Sequence, residues 1–329
     1  MNILSVYIRR FGLLISMLLG ATLYLAFANM DLSDNVRCFI KGLVDVMQPT
    51  LLFLMLLITF LKIKPADLSF RKWQLMGLLF QGCFWIFGCL LISFCEIPMC
   101  YKLGLEGFLL CMICPTATAA AVITGKLSGN QGSLVLYIIM ANLLASLLIP
   151  LMLPLVSPQS DVSLFTIFLK IVLKIFPLLF SPLVCAMVMR KTMPYITSLL
   201  IKIPNLAFYL WLLALSVAIA VSVKIMHKSI LSGVGYYPLV MIVVGSIIAC
   251  VIQFSFGRWY TVKHHYPENE IISSSQALGQ KNTIFAIWCG YTFMDPLCSI
   301  AGGFYSIWHN IYNSYQLNKK ENSKIKEEN

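Results

Sequence analysis

The chain has 329 residues, of which 59% are hydrophobic and only 11% charged, with a mean hydropathy of +0.85. A soluble globular protein carries about a quarter charged residues. Here apolar runs of about twenty residues, each able to cross a hydrocarbon core about 30 Å thick, recur from end to end, which excludes a soluble domain. The net charge of +11 does not mark a nucleic-acid binder, because the basic residues fall in short connections between apolar runs, where they set orientation.

In chain order the spans are predicted at Phe11–Ala28, Gly42–Leu61, Gln74–Phe94, Gly104–Thr124, Ser133–Val156, Leu164–Met189, Asn205–Val223, Gly233–Gly257, Ile271–Gly290 and Phe293–Ile311. The expected fold is therefore an all-α integral membrane protein of about ten transmembrane helices, one polytopic domain over 1–329 with a polar cytoplasmic tail at 316–329. Basic residues occupy alternate connections: Arg9 and Arg10; Lys62, Lys64, Arg71 and Lys72; Lys126; Arg190, Lys191 and Lys202; Arg258 and Lys263; and Lys319, Lys320, Lys324 and Lys326. That side is expected to be cytoplasmic, with both termini inside and a bacterial inner membrane as the setting, while Asp31, Asp34, Glu96 and Asp161 face out. The outer connection holding Lys224 and Lys228 runs against the trend. Arg9-Arg10, an apolar run and Ala26-Phe27-Ala28 together mimic a cleavable secretory signal, but the run is at the long end for one, which favours a retained first helix. Cleavage would leave nine spans.

Ten spans divide into two sets of five, repeat one at about 11–156 and repeat two at about 164–311. An odd number per half makes two similar halves insert with opposite topology, an arrangement that places substrate where interrupted helices meet. One candidate interruption stands in each half. In the fourth span it is Cys114-Pro115-Thr116-Ala117-Thr118-Ala119, where proline breaks the helical ladder among small residues. In the ninth it is the polar run from Ser273 through Gln276, Ala277, Gly279, Gln280 and Lys281 to Asn282.

These segments resemble the crossover helices of the bile acid:sodium symporter family. The family's Cys-Pro-Gly-Gly-Thr-Ala-Ser-Asn-Val is similar to Cys114–Val122, its Glu-x-Gly-x-Gln-Asn to Ala277–Asn282, and its Phe-Ser-x-Trp-His-Asn to Phe304–Asn310; Pro177 and Gly257-Arg258 are weaker echoes. The resemblance implies a panel domain and a core domain, with the fourth and ninth helices crossing in the core, and sodium-driven uptake of an organic anion. The departures bear on sodium. The first family sodium site falls on Ala120, Ala121, Leu134, Ile138 and Ala277, whose side chains offer no oxygen, and the second on Gln81, Ala277 and Lys281. Sodium needs oxygens to replace its water, so it is disfavoured as the coupling ion, and no other cofactor is expected.

The candidate substrate- and ion-binding residues are Lys281, Gln81, Thr116, Thr118, Gln276, Gln280 and Asn282. A lysine at bilayer depth costs about 2.5–3.5 kcal/mol even on the lenient insertion scale, which points Lys281 to a cavity as counter-ion, proton carrier or tethered cation, within reach of Gln81, Gln276 or Thr118. Taken singly, the amides and hydroxyls are equally well explained as links between helices. Lys170 and Lys174 share a face of the sixth helix, with snorkelling the better reading of Lys170. Lys41 and Asp45 are an i,i+4 pair. His264, His265, Glu268 and Glu270 read as a solvated inner loop, His309 as packing, and Cys83, Cys89, Cys111, Cys185 and Cys250 as small buried hydrophobes. No catalytic or metal motif is present. The expected function is alternating-access transport of a small or amphipathic organic anion, proton-coupled or uncoupled. Sodium-coupled symport and a non-transporting membrane sensor of the same fold stand as alternatives. Beyond the bilayer and the anion, the sequence names no partner or oligomeric state.

Overall fold

The computed structural model describes residues 3–30, 33–63, 66, 68–156, 163–203, 206–233 and 235–328; Asp31, Lys64 and Asp161 of the charge pattern lie outside them. Every regular element among these residues is helical: α1 (Ile3–Ala28), α2 (Asp34–Lys62), α3 (Lys72–Phe94), α4 (Met99–Ile113), α5 (Ala120–Lys126), α6 (Gln131–Val156), α7 (Leu164–Thr192), α8 (Pro194–Lys202), α9 (Leu206–Leu231), α10 (Tyr236–Lys263), α11 (Glu268–Gly279), α12 (Thr283–Phe293), a 3-10 turn at Pro296–Cys298, and α13 (Ser299–Glu328). Helices suit hydrocarbon because each satisfies its own backbone polar groups.

Six helices among the described residues, α2, α3, α6, α7, α9 and α10, are long and apolar enough to cross a membrane. The other four expected spans differ for physical reasons. The fourth and ninth are cut in two, as α4/α5 and α11/α12; the apolar stretch of α1 is Leu14–Ala28; and α13 begins apolar but continues as a helix through the polar segment expected to be a tail.

The chain forms two compact units, Met1–Lys62 with Ser181–Gly235, and Ile63–Phe180 with Tyr236–Asn329; α7 contributes to both. In the first unit α1 runs along α9. The Ser16 hydroxyl donates to Leu212 O at 3.1 Å, Tyr24 and His227 Nδ1 share a 2.9 Å hydrogen bond, and a Cβ at Gly20 would stand 2.3 Å from Ser216 O. Arg190 on α7 donates to the last carbonyls of α2, Phe60 O at 3.2 Å and Leu61 O at 2.7 Å. Lys41 and Asp45 are both exposed and close no salt bridge, since an exposed pair gains little from meeting.

In the second unit small residues let helices approach backbone to backbone, the usual basis of packing in lipid. A Cβ on Gly245 of α10 would lie 2.8 Å from Gly104 O of α4, and one on Gly257 of α10 would lie 2.5 Å from Ser274 O of α11. The Phe304–Asn310 motif seats α13: Trp308 Nε1 donates to Ser246 Oγ at 3.0 Å, and buried His309 meets Tyr305 edge-on at 5.6 Å. Cys89, Cys111 and Cys250 are buried as expected, whereas Cys83 is exposed, on an outward face of α3, and Cys185 is half-buried.

Candidate functional site

The site is built from two helix endings in the second unit. Cys114 N–H still closes onto Leu110 O at 3.1 Å, but Pro115 has no N–H to give, so α4 stops at Ile113 and α5 starts only at Ala120. Across from it, Gln280 N–H reaches Gln276 O at 3.0 Å, α11 stops at Gly279, and α12 restarts at Thr283 with Asn282 as its cap, Oδ1 accepting from Phe285 N–H at 3.1 Å. A close approach explains Gly279, where a Cβ would stand 2.3 Å from the Phe254 ring.

The two breaks pair with each other. Thr116 faces Lys281 in an isolated antiparallel bridge, Ala117 N–H donates to Gln280 O at 2.9 Å, Asn282 N–H donates to Pro115 O at 2.8 Å, and the Thr116 hydroxyl donates to Ala277 O at 2.5 Å. Buried backbone groups must find partners, and each break supplies them to the other. The interruptions predicted at Pro115 and Gly279 therefore meet directly.

A buried polar network covers the carbonyls the breaks leave over. Cys111 O would ordinarily accept from the residue four later, which is Pro115; instead Gln253 Nε2 donates to it at 3.3 Å. Gln253 Nε2 also donates to the Tyr305 hydroxyl at 3.1 Å, and that hydroxyl donates to Gly279 O at 2.8 Å, the last carbonyl of α11. Gln81 Nε2 donates to Gln253 Oε1 at 3.3 Å, and Tyr137 OH donates to Gln81 Oε1 at 3.0 Å. Gln280 donates to Gln276 Oε1 and, at 3.4 Å, to Asn313 Oδ1, while Gln276 donates to Gln316 on α13. Thr118 is half-buried and stands outside these networks.

Lys281 is 1% exposed, and its Nζ has no hydrogen-bond partner among the described residues. This corrects the expectation that Gln81, Gln276 or Thr118 would hold it. Gln81 and Gln276 are already committed to amides and hydroxyls. The titratable side chains beside it are the buried thiols of Cys114 and Cys111, and no carboxylate is among them. The positions where the family resemblance implies sodium ligands, Ala120, Leu134, Ile138 and Ala277, are fully buried and carry no side-chain oxygen.

Two buried carboxylates lie in the same unit among the described residues. Glu270, expected to be solvated, is 1% exposed and fully bonded: Oε1 accepts from Arg71 Nε at 3.0 Å and Asn130 Nδ2 at 2.8 Å, and Oε2 from Trp73 Nε1 and Ser133 Oγ, both at 2.9 Å. Glu106 is 3% exposed; its Oε2 accepts from the Cys298 thiol at 3.1 Å, and Lys102 Nζ stands 3.9 Å from Oε1. The sequence reading passed over Glu106, Gln253, Tyr137 and Tyr305. A lone carboxylate in Leu105-Glu106-Gly107 and a lone amide in Ile252-Gln253-Phe254, each inside an apolar run, were the signals available.

Position along α3 orders these features. Trp73 meets Glu270, Gln81 meets the network at the breaks, and Cys89 lies in the field of Glu106. They are eight residues apart in each step (73 to 81, 81 to 89), about 12 Å of helix per step. The paired breaks thus sit midway between two buried carboxylates.

No family model matches the chain, and no curated protein is found to match it. Fold and site together define an all-α, multi-pass membrane protein in which two interrupted helices are joined through their breaks.

Proposed function

We propose that this protein is a secondary transporter of a small or amphipathic organic anion, working by alternating access on the bile acid:sodium symporter plan, with ten spans in two inverted sets of five and with proton coupling or none in place of sodium. The observation that carries the reading is the buried, unpartnered ammonium of Lys281 at the crossing of the two breaks. It immediately precedes α12, whose N-terminus adds a positive dipole end. With no carboxylate facing them, the ammonium and the α12 N-terminus offer an anionic guest a counter-charge, while the carbonyls at the C-terminal ends of α4 and α11 at the same crossing are covered by Gln253 and Tyr305, and a buried charge left alone is costly. Interrupted helices meeting in this way are the usual substrate locus of inverted-repeat transporters.

Further support comes from symmetry. Glu106 is ten residues before Thr116 and Glu270 eleven before Lys281, the two residues that face each other, so the half-helices α4 and α11 carry their carboxylates at nearly equivalent positions. The separation of α1, α2, α8 and α9 from α3–α6 and α10–α13 fits a panel and a core. Sodium does not fit the side chains present, because Ala277 and its neighbours lack oxygens and Lys281 brings a cation to the same break.

The test is uptake of a panel of organic anions by purified protein in proteoliposomes, with sodium and proton gradients varied independently. Flux is expected without sodium and is expected to vanish in Lys281→Ala. Lys281→Gln combined with Ala277→Glu restores a carboxylate and removes the competing cation, and is expected to introduce sodium dependence. Wild-type flux rising steeply with sodium at fixed pH, or wild-type behaviour of Lys281→Ala, would overturn the reading.

A further inference from the structure

Glu270 and Glu106 occupy corresponding places but differ in what surrounds them. Both oxygens of Glu270 are filled by four donors, Arg71 just before α3, Trp73 on α3, Asn130 just before α6 and Ser133 on α6, so a proton added to either oxygen would meet an N–H or O–H already pointing there. Glu106 has one short donor, a thiol, which is weak, and an ammonium at the edge of salt-bridge range. The thiol also has a second acceptor: Cys298 Sγ lies 3.8 Å from Leu103 O. When the carboxylate gains a proton on Oε2, the S–H can turn to Leu103 O and the new O–H can donate to the thiol sulfur, so no buried donor is stranded.

The other surroundings agree. Lys102 is one-third exposed, so it can swing toward water and back without leaving a buried charge behind. The titratable groups facing Glu106 are Lys102 on its own helix, Cys89 on α3, and Asp295 and Cys298 in the turn between α12 and α13. From the remaining packed helices this stretch of α4 meets Met241 and Ile242 of α10 and Ala301 of α13, none of which titrates; Tyr237 of α10 faces Tyr101 instead.

We propose that Glu106 is a proton-exchange site, a carboxyl that takes a proton from water near Lys102 and releases it again, at the end of the second unit opposite the locked Glu270. In the step one O–H bond of a hydronium ion breaks, leaving water, and one O–H bond forms on Glu106 Oε2; the Cys298 S–H changes acceptor from Oε2 to Leu103 O, and the reverse step returns the proton to water. As the coupling proton of an anion transporter, Glu106 rests on the function proposed above; as a proton site, it does not.

The experiment is infrared difference spectroscopy of the full-length protein in phosphatidylethanolamine/phosphatidylglycerol nanodiscs across pH, following the stretch of a protonated carboxyl held away from water. One such band is expected to titrate in the wild type and to be lost in Glu106→Gln. Cys298→Ala is expected to keep the band but move its midpoint to higher pH, because a hydrogen bond to the charged form is gone. A wild type with no titrating band, a band unchanged in Glu106→Gln, or an unmoved midpoint in Cys298→Ala overturns the site whether or not the protein transports. In proteoliposomes that show anion flux, Glu106→Gln is expected to abolish the response to a proton gradient. A wild-type flux indifferent to that gradient, with the band still titrating, overturns the coupling role alone.

Discussion

Glu270 and Lys281 are eleven residues apart on the interrupted ninth span, both at 1% exposure, and they have opposite surroundings. Glu270 gathers four donors, three of them from side chains that are themselves at least half-buried, and ties α11 to α3 and α6. Lys281 gathers none. A buried charge that is fully bonded has been made part of the scaffold, whereas one left bare costs folding energy and is retained for something the folded chain alone does not supply. The comparison separates structural from functional polarity more cleanly than burial does, since burial is the same for both.

Substitutions can break or sharpen this contrast. Removing the bonded charge has the largest expected effect: Glu270→Ala strands the Trp73 indole, the Asn130 amide and the Ser133 hydroxyl, and is expected to lower stability by about 3–5 kcal/mol in detergent unfolding. A loss below about 1 kcal/mol would show that the knot is not what holds α11 to α3 and α6. Next is Gln253→Leu, which leaves the Cys111 carbonyl and the Gln81 amide N–H without a partner, at an expected cost of about 1–3 kcal/mol by the same measurement. If stability is unchanged, the network does not carry the orphan carbonyls of the breaks.

The smallest effect, and the one of opposite sign, is expected at the bare charge. Lys281→Met keeps the side-chain length, removes an unpaired ammonium, and is expected to raise stability by about 1 kcal/mol. A melting temperature lowered by Lys281→Met would mean that the ammonium is held by the scaffold after all, and the distinction from Glu270 would fail.

The two interruptions were legible because each has a local cause. Pro115 removes a donor wherever it stands, and a run such as Ser273–Asn282 cannot lie against lipid, so both marked themselves in the linear chain. The solvated reading of Glu270 went wrong for a reason equally physical. An acidic residue beside His264, His265 and Glu268 looks like loop chemistry, and the four donors that bury it come from positions 71, 73, 130 and 133. The expected amide cradle around Lys281 failed in the same way: Gln81 and Gln276 are polar and nearby in pattern, yet their hydrogen bonds go to Gln253, Tyr137, Gln280 and Gln316, choices set by residues up to 172 positions away.

What the sequence by itself determined is what depends on the solvent and on local backbone chemistry: a membrane protein, because so few charges accompany so many long apolar runs, and two broken helices, because proline and polar residues interrupt the ladder where they stand. What only the tertiary structure decided is which buried polar groups are satisfied. Hydrogen bonds are short and directional, so Glu270 is locked, Glu106 half-held and Lys281 bare only once α3, α4, α6, α10, α11 and α13 have brought their partners within about 3 Å, or failed to.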